Sequence, residues 1–85
     1  MAKTHDENTS TKILKFIDEY IRKEKWAPSV REIGKAVYLS STSTVFAHLE
    51  RLAGAGLIEK QTRSPRALRI TEKGADFLET LKGGI

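Results

Sequence analysis

From Ser40 to Thr44 the chain sets five hydroxyl side chains in a row, SSTST, followed by Phe46, Ala47 and Glu50. Hydroxyls of this kind bond base edges or phosphates, Ala or Phe can touch a thymine methyl, and a glutamate can accept from a cytosine amino group. Backbone N–H groups in a first helical turn, together with Ser40 and Ser41, suit a phosphate. A serine- and threonine-rich helix start is also common simply as a cap, so the run alone is weak. Phe46 is harder to place on a solvated surface, and exposed apolar side chains often belong to binding surfaces. A second group lies downstream, where Arg63 and Arg66 bracket Pro65. Proline stiffens such a turn, and two guanidinium groups at its tip can straddle a phosphate backbone or enter a minor groove.

These side chains need a helix that turns them outward. With about 100° per residue and Val45 at the centre of the buried face, Leu49 and Leu52 fall within about 40° of it. Ser43, Ala47 and Glu50 fall on the far side, with Thr44 and Phe46 on opposite flanks. His48 lies beside the buried stripe and reads as a packed or capping histidine more than as a base reader. The helix starts at Ser41 or Thr42, and Gly56 is its left-handed stop. Upstream, Ser29 and Glu32 form the S-x-x-E capping pattern of a short helix with Ile33, Ala36 and Val37 inward. Tyr38, Leu39 and Ser40 make the turn between the two, with Leu39 pointing in. Two short helices joined in this way predict a helix-turn-helix.

The flanking segments complete the pattern. A first helix is expected from Thr9 or Ser10, with Ile13, Phe16, Ile17, Tyr20 and Ile21 at core-facing spacing. Ala27-Pro28 stops it, and Trp26 is expected to wedge into the core at the break. After Gly56 the period changes. Residues 57–62 and 67–70 read as strands around a turn at 63–66, with Leu68 and Ile70 on one face and Arg69 on the other. Thr71 caps a last helix, Glu72 to about Lys82, with Phe77, Leu78 and Leu81 on one side. The expected fold is mainly α with a small β-hairpin: a winged helix-turn-helix of three helices and a two-stranded wing, plus a C-terminal helix. The expected division is a flexible leader at 1–8, the winged helix-turn-helix at 9–70, and a C-terminal helix at 71–85 serving as a dimerisation element.

Bulk properties agree with a nucleic-acid partner. The 85 residues carry a formal charge of +4 and a pI near 9.6, above the rough threshold of about 9 for such domains. Lys60, Arg63, Arg66, Arg69 and Lys73 crowd one segment opposed by Glu59 and Glu72, and a local cluster of this kind can anchor phosphates. The absence of cysteine removes disulfides and thiolate zinc sites, and His5 and His48 lack ligand spacing. No run reaches the apolar length of a membrane span, and MAKTHDENTS has no apolar stretch to serve as a signal peptide.

PSVREIGKAV, then SSTSTVFAHLERL, then GLIEK and PRALRIT resemble the N-terminal DNA-binding domain of the LexA repressor family, from about Thr11 to Ile70 and in the family's order and spacing. The resemblance implies a winged helix-turn-helix that binds a palindromic operator as a dimer and represses transcription. By position it implies base readers at Ser43, Thr44, Phe46 and Ala47, and phosphate contacts near Ser29, Arg31, Ser41 and the wing. There are departures. Tyr38 stands at a turn position commonly glycine in the family, where a positive φ would strain it. Lys25 and Ala27 replace residues often seen as glycine and proline, and Phe46 replaces a polar or charged residue. LexA continues into a self-cleaving domain that this chain is too short to hold. Ala53-Gly54 and Ala55-Gly56 resemble that domain's cleavage dipeptide, but they sit in or next to the third helix and read as packing and helix termination.

The expected function is therefore a sequence-specific, double-stranded-DNA-binding transcriptional regulator, in a bacterial, phage or archaeal cytoplasm at the nucleoid, needing no cofactor. The expected sites are base reading by Ser43, Thr44, Phe46, Ala47 and Glu50, and backbone contact by Ser29, Arg31, Ser40, Ser41, Arg63 and Arg66. Phe77, Leu78 and Leu81 are expected to dimerise it. A protein-binding winged helix, acting on another regulator as antirepressor or corepressor, is the alternative. An enzyme is the poorest reading, because no nucleophile–base pair, metal set or phosphate loop is visible.

Overall fold

A computed structural model of the chain describes residues 5–60 and 68–82, those at 5–8 and 82 by their backbone alone. The elements are α1 (His5–Glu24), α2 (Val30–Ala36), α3 (Thr42–Gly54), β1 (Ile58–Lys60), β2 (Leu68–Ile70) and α4 (Glu72–Lys82). The strands pair antiparallel, Ile58 facing Ile70, Glu59 facing Arg69 and Lys60 facing Leu68. Leu68 and Ile70 are half-buried while Arg69 points to solvent, as the alternation predicts. The expected turn at 63–66 lies outside the described residues.

Apolar spacing puts one stripe of every element into a single core. Ile13, Leu14 and Ile17 of α1 meet Ile33 of α2, Val45, Leu49 and Leu52 of α3, Ile58 of β1 and Leu78 of α4. Each such side chain contributes about 1.5–3 kcal/mol by leaving water. Side-chain caps then set the helix starts. Ser29 Oγ accepts from the Glu32 N–H at 3.1 Å while the Ser29 N–H donates to Glu32 Oε1 at 2.8 Å, a closed capping box. Ser41 Oγ accepts from the Thr44 N–H at 3.4 Å. Thr71 Oγ1 accepts from the Gly74 N–H at 2.9 Å and donates to the Gly56 carbonyl at 2.6 Å, so one hydroxyl caps α4 and ties it to the end of α3.

Three helices end at a residue with positive φ: Lys25 at 74°, Tyr38 at 60° and Gly56 at 81°. After α2 the Leu39 N–H reaches the Gly34 carbonyl at 2.8 Å and the Tyr38 N–H reaches that of Lys35 at 3.3 Å. After α3 the Leu57 N–H reaches Leu52 at 3.0 Å and the Gly56 N–H reaches Ala53 at 2.9 Å. These are paired Schellman closures, whereas Lys25 makes a single bond to the Ile21 carbonyl at 2.8 Å.

Several expectations are corrected. The first helix begins at His5 instead of Thr9 or Ser10, so residues 5–8 of the expected leader are helical. Ser10 is an interior helical residue, buried and hydrogen-bonded at Oγ to His48 Nδ1, 2.8 Å away. Trp26 does not wedge into the core: it is 54% exposed, and Ala27 and Pro28 are buried at the break instead. Ala36 is exposed, and the buried neighbour of Ile33 on α2 is Gly34.

Candidate nucleic-acid interface

The pairing of α2 with α3 fixes the candidate surface. A Cβ placed on Gly34 would lie 2.8 Å from the Leu39 carbonyl oxygen and 3.4 Å from Val45 Cγ2, so only a glycine lets the turn fold so tightly over α2. From the other side Tyr20 of α1 donates its hydroxyl to Glu32 Oε2 at 3.1 Å. Glu32 therefore closes the cap of α2 with one oxygen and takes α1 with the other. His48 on α3, bonded to Ser10, makes a second polar tie to α1. With Val45, Leu49 and Leu52 buried, α3 is held on three sides and its rotation is set.

That rotation places the expected base readers together. Ser43, Thr44, Phe46, Ala47 and Glu50 are all exposed, Phe46 by 48%. Thr42 to Leu49, the first two turns, contain no carboxylate, ammonium or guanidinium group. Glu50 differs from the others because its carboxylate pairs with the Lys60 ammonium of β1. Ser40, Ser41 and Arg31 are exposed at the mouth of the turn, and Ser29 is half-buried with its hydroxyl engaged in the cap. Tyr38 stands out from the turn, 94% exposed.

The basic cluster is more neutralised than its residue count suggests. Lys60 is taken by Glu50, and Arg69 Nε lies 3.4 Å from Glu59 Oε1 across the strand pair. Arg63 and Arg66 lie outside the described residues. On α4, Leu78 is 3% exposed and belongs to this chain's own core, which corrects its expected place in a dimer face. Phe77 and Leu81, 37% and 41% exposed, are the large apolar side chains that α4 presents outward.

Two structural features escape a reading of the sequence. A Cβ on Gly74 would sit 2.1 Å from the Leu57 carbonyl oxygen and 3.0 Å from Ile70 Cγ2, so α4 crosses the root of the wing at backbone contact. The available signal is a glycine inside a capped helix, where it costs about 1 kcal/mol relative to alanine and needs a reason. The Glu50–Lys60 pair had no comparable signal, because its residues are ten apart and meet through the hairpin.

Three helices, a two-stranded wing and a following helix, with the third helix presenting its polar face, define a winged helix-turn-helix protein. The family described as LexA DNA binding domain matches residues 8–67. The chain belongs to that family. It is 49% identical over 73 residues to the LexA repressor of Lacticaseibacillus casei (strain BL23), covering 86% of this chain and 35% of that protein. It is 55% identical over 62 residues to the LexA repressor of Oenococcus oeni (strain ATCC BAA-331 / PSU-1), covering 73% and 29%. With the LexA repressor of Lactiplantibacillus plantarum (strain ATCC BAA-793 / NCIMB 8826 / WCFS1) the identity is 45% over 78 residues, covering 92% and 37%. The chain spans about a third of the length of the curated relatives it matches. Among the described residues, no helix is long and apolar enough to cross a membrane.

Proposed function

We propose that this chain is a sequence-specific, double-stranded-DNA-binding repressor of transcription that occupies a palindromic operator as a homodimer, in the cytoplasm at the nucleoid. The observation that carries the reading is the outward face of α3. Ser43, Thr44 and Ala47 are short and exposed, which lets the helix axis approach the floor of a major groove, and Phe46 stands beside them. Ser40, Ser41 and Arg31 flank this face where a phosphate would pass, and Arg63 and Arg66 supply the wing's charge. Phe77 and Leu81 are the side chains by which two copies would meet. A dimer doubles a site that a single domain of this size reads over few base pairs. The reading calls for no cofactor and no catalytic step.

Selection of duplexes from a random library, followed by affinity against salt, tests it. A preferred sequence with two half-sites about one helical turn apart is the expected product. Arg66→Ala should weaken all duplexes alike and lower the slope of log K against log salt by about 1. Ser43→Ala should change the preferred sequence. Weak binding without sequence preference would defeat the proposal. One observation favours a second reading, a protein-binding module acting on another regulator: Phe46, Phe77 and Leu81 are all exposed. Tight capture of a purified repressor, with no DNA selected, would support that reading instead.

A further inference from the structure

We infer that Phe46 sets operator specificity by closing over the C5-methyl group of a pyrimidine in the major groove, which in unmodified DNA is a thymine. The inference rests on the DNA-binding reading above and names the feature that this α3 would recognise. Purines are usually fixed by long side chains that offer two hydrogen-bonding atoms at once, Arg or Lys for guanine and Asn or Gln for adenine. Thr42 to Leu49 contain none of these. Ser43 and Thr44 carry one hydroxyl each on a short stem, and the Ser41 hydroxyl oxygen accepts from the Thr44 N–H at the helix start. His48 is turned to Ser10, and the Glu50 carboxylate is held by Lys60.

What remains with reach on the outward side of these two turns is the Phe46 ring, 48% exposed. The apolar feature that base edges offer in the major groove is the C5-methyl of thymine. Covering it removes apolar surface from water on both partners, at a magnitude of about one methyl group. The expected effect is therefore a roughly threefold to fivefold change in Kd for each half-site.

The test uses the full chain and the duplex obtained by selection. Each thymine is replaced in turn by deoxyuridine, which removes the methyl and leaves the pairing edge intact. The expected result is one thymine per half-site whose replacement weakens the wild-type protein about threefold to fivefold. Phe46→Ala should lose that affinity on the thymine duplex and become indifferent to deoxyuridine. Phe46→Leu should keep part of the sensitivity. Because Phe46 is half exposed, thermal melting of both variants should stay close to wild type, and the Leu variant keeps the test valid should the Ala variant melt early. At the sensitive position, 5-methylcytosine should also bind more tightly than cytosine when each is paired with guanine, since the methyl is what is read. Equal affinity for thymine and deoxyuridine at every position, or undiminished sensitivity in Phe46→Ala, overturns the inference while leaving sequence-specific binding standing. Selection that yields no preferred duplex overturns both.

Discussion

The helix stops at Lys25 and Tyr38 allow a quantitative prediction. Both residues sit in the left-handed region, at φ 74° and 60°, where Gly56 sits at the third such stop. For a side chain with a Cβ this conformation costs roughly 1–2 kcal/mol. Glycine removes that cost but adds freedom to the unfolded chain, which returns about 0.4–1 kcal/mol. Little packing is forfeited, since Tyr38 is 94% exposed and Lys25 offers only a solvent-facing bond from Nζ to the Arg22 carbonyl at 3.3 Å. Tyr38→Gly and Lys25→Gly should therefore each stabilise the fold by about 0.5–1 kcal/mol. At roughly 2 cal/mol/K of unfolding entropy per residue, that is a rise in Tm of about 3–6 °C each for a domain of this size.

The two stops end different helices and share no hydrogen bond, so the double variant should show the sum. Scanning calorimetry and urea unfolding read the effect. Lys15→Gly, at an exposed site inside α1, should move the other way by about 1 kcal/mol and serves as the control. Within the turn, stability should fall in the order Gly, Asn, Tyr, Val at position 38, because β-branching is least compatible with positive φ. A Tyr38→Gly variant no more stable than wild type would refute the strain argument, and so would a valine variant equal to tyrosine.

Other sites give sharper or smaller responses. Gly74→Ala should cost about 1–3 kcal/mol in chemical denaturation, since its methyl collides with backbone at Leu57 and neither side can yield by rotating a side chain. Leu78→Ala should lower stability by about 2–5 kcal/mol, as for other buried leucines, whereas Phe77→Ala and Leu81→Ala should change sedimentation behaviour with little change in melting. Ser10→Ala strands the His48 ring nitrogen in a half-buried place and should cost about 1 kcal/mol, measured by urea midpoint. Glu50→Gln should alter stability by less than about 1 kcal/mol, because the Glu50 carboxylate of the pair with Lys60 faces solvent, yet tighten DNA binding at low salt by releasing an ammonium group toward the phosphates.

Local signals were readable wherever one residue answers to its near neighbours. The Ser29–Glu32 box, the Ser41 and Thr71 caps, the stop at Gly56 and the stripe Val45, Leu49, Leu52 all follow from spacing within one turn or two. Tyr38 stood out because family resemblance put glycine there, and the backbone has the positive φ that glycine would serve. The failures share another cause. Trp26 is exposed because the tight break at Ala27-Pro28 fills the corner with smaller residues, a matter of how α1 and α2 cross. Leu78 and Phe77 are adjacent in sequence, and their separation into core and surface depends on where α4 lands on the wing. That landing is set by Gly74 and the Leu57 carbonyl, a contact between residues 17 positions apart.

The same dependence on crossing geometry bears on how the outward face of α3, sparsely equipped as it is, would read bases in the proposed function. A helix whose rotation is fixed by its own polar contacts with a ligand needs long side chains. Here rotation is fixed from behind, by three buried aliphatic residues, by the Ser10–His48 bond and by the Schellman closures before and after α3. Glu50, the first acid on its outward side, is drawn to Lys60 and so braces α3 against β1. On the proposed function, short hydroxyl residues and one aromatic ring would then discriminate bases by fit, because the helix that carries them has little freedom to compensate for a mismatch. Loosening the support without touching the face, as Ser10→Ala would, should therefore erode discrimination between preferred and altered duplexes more than it erodes binding to bulk DNA. Equal losses on both would mean that the scaffold positions α3 no better than the groove itself does.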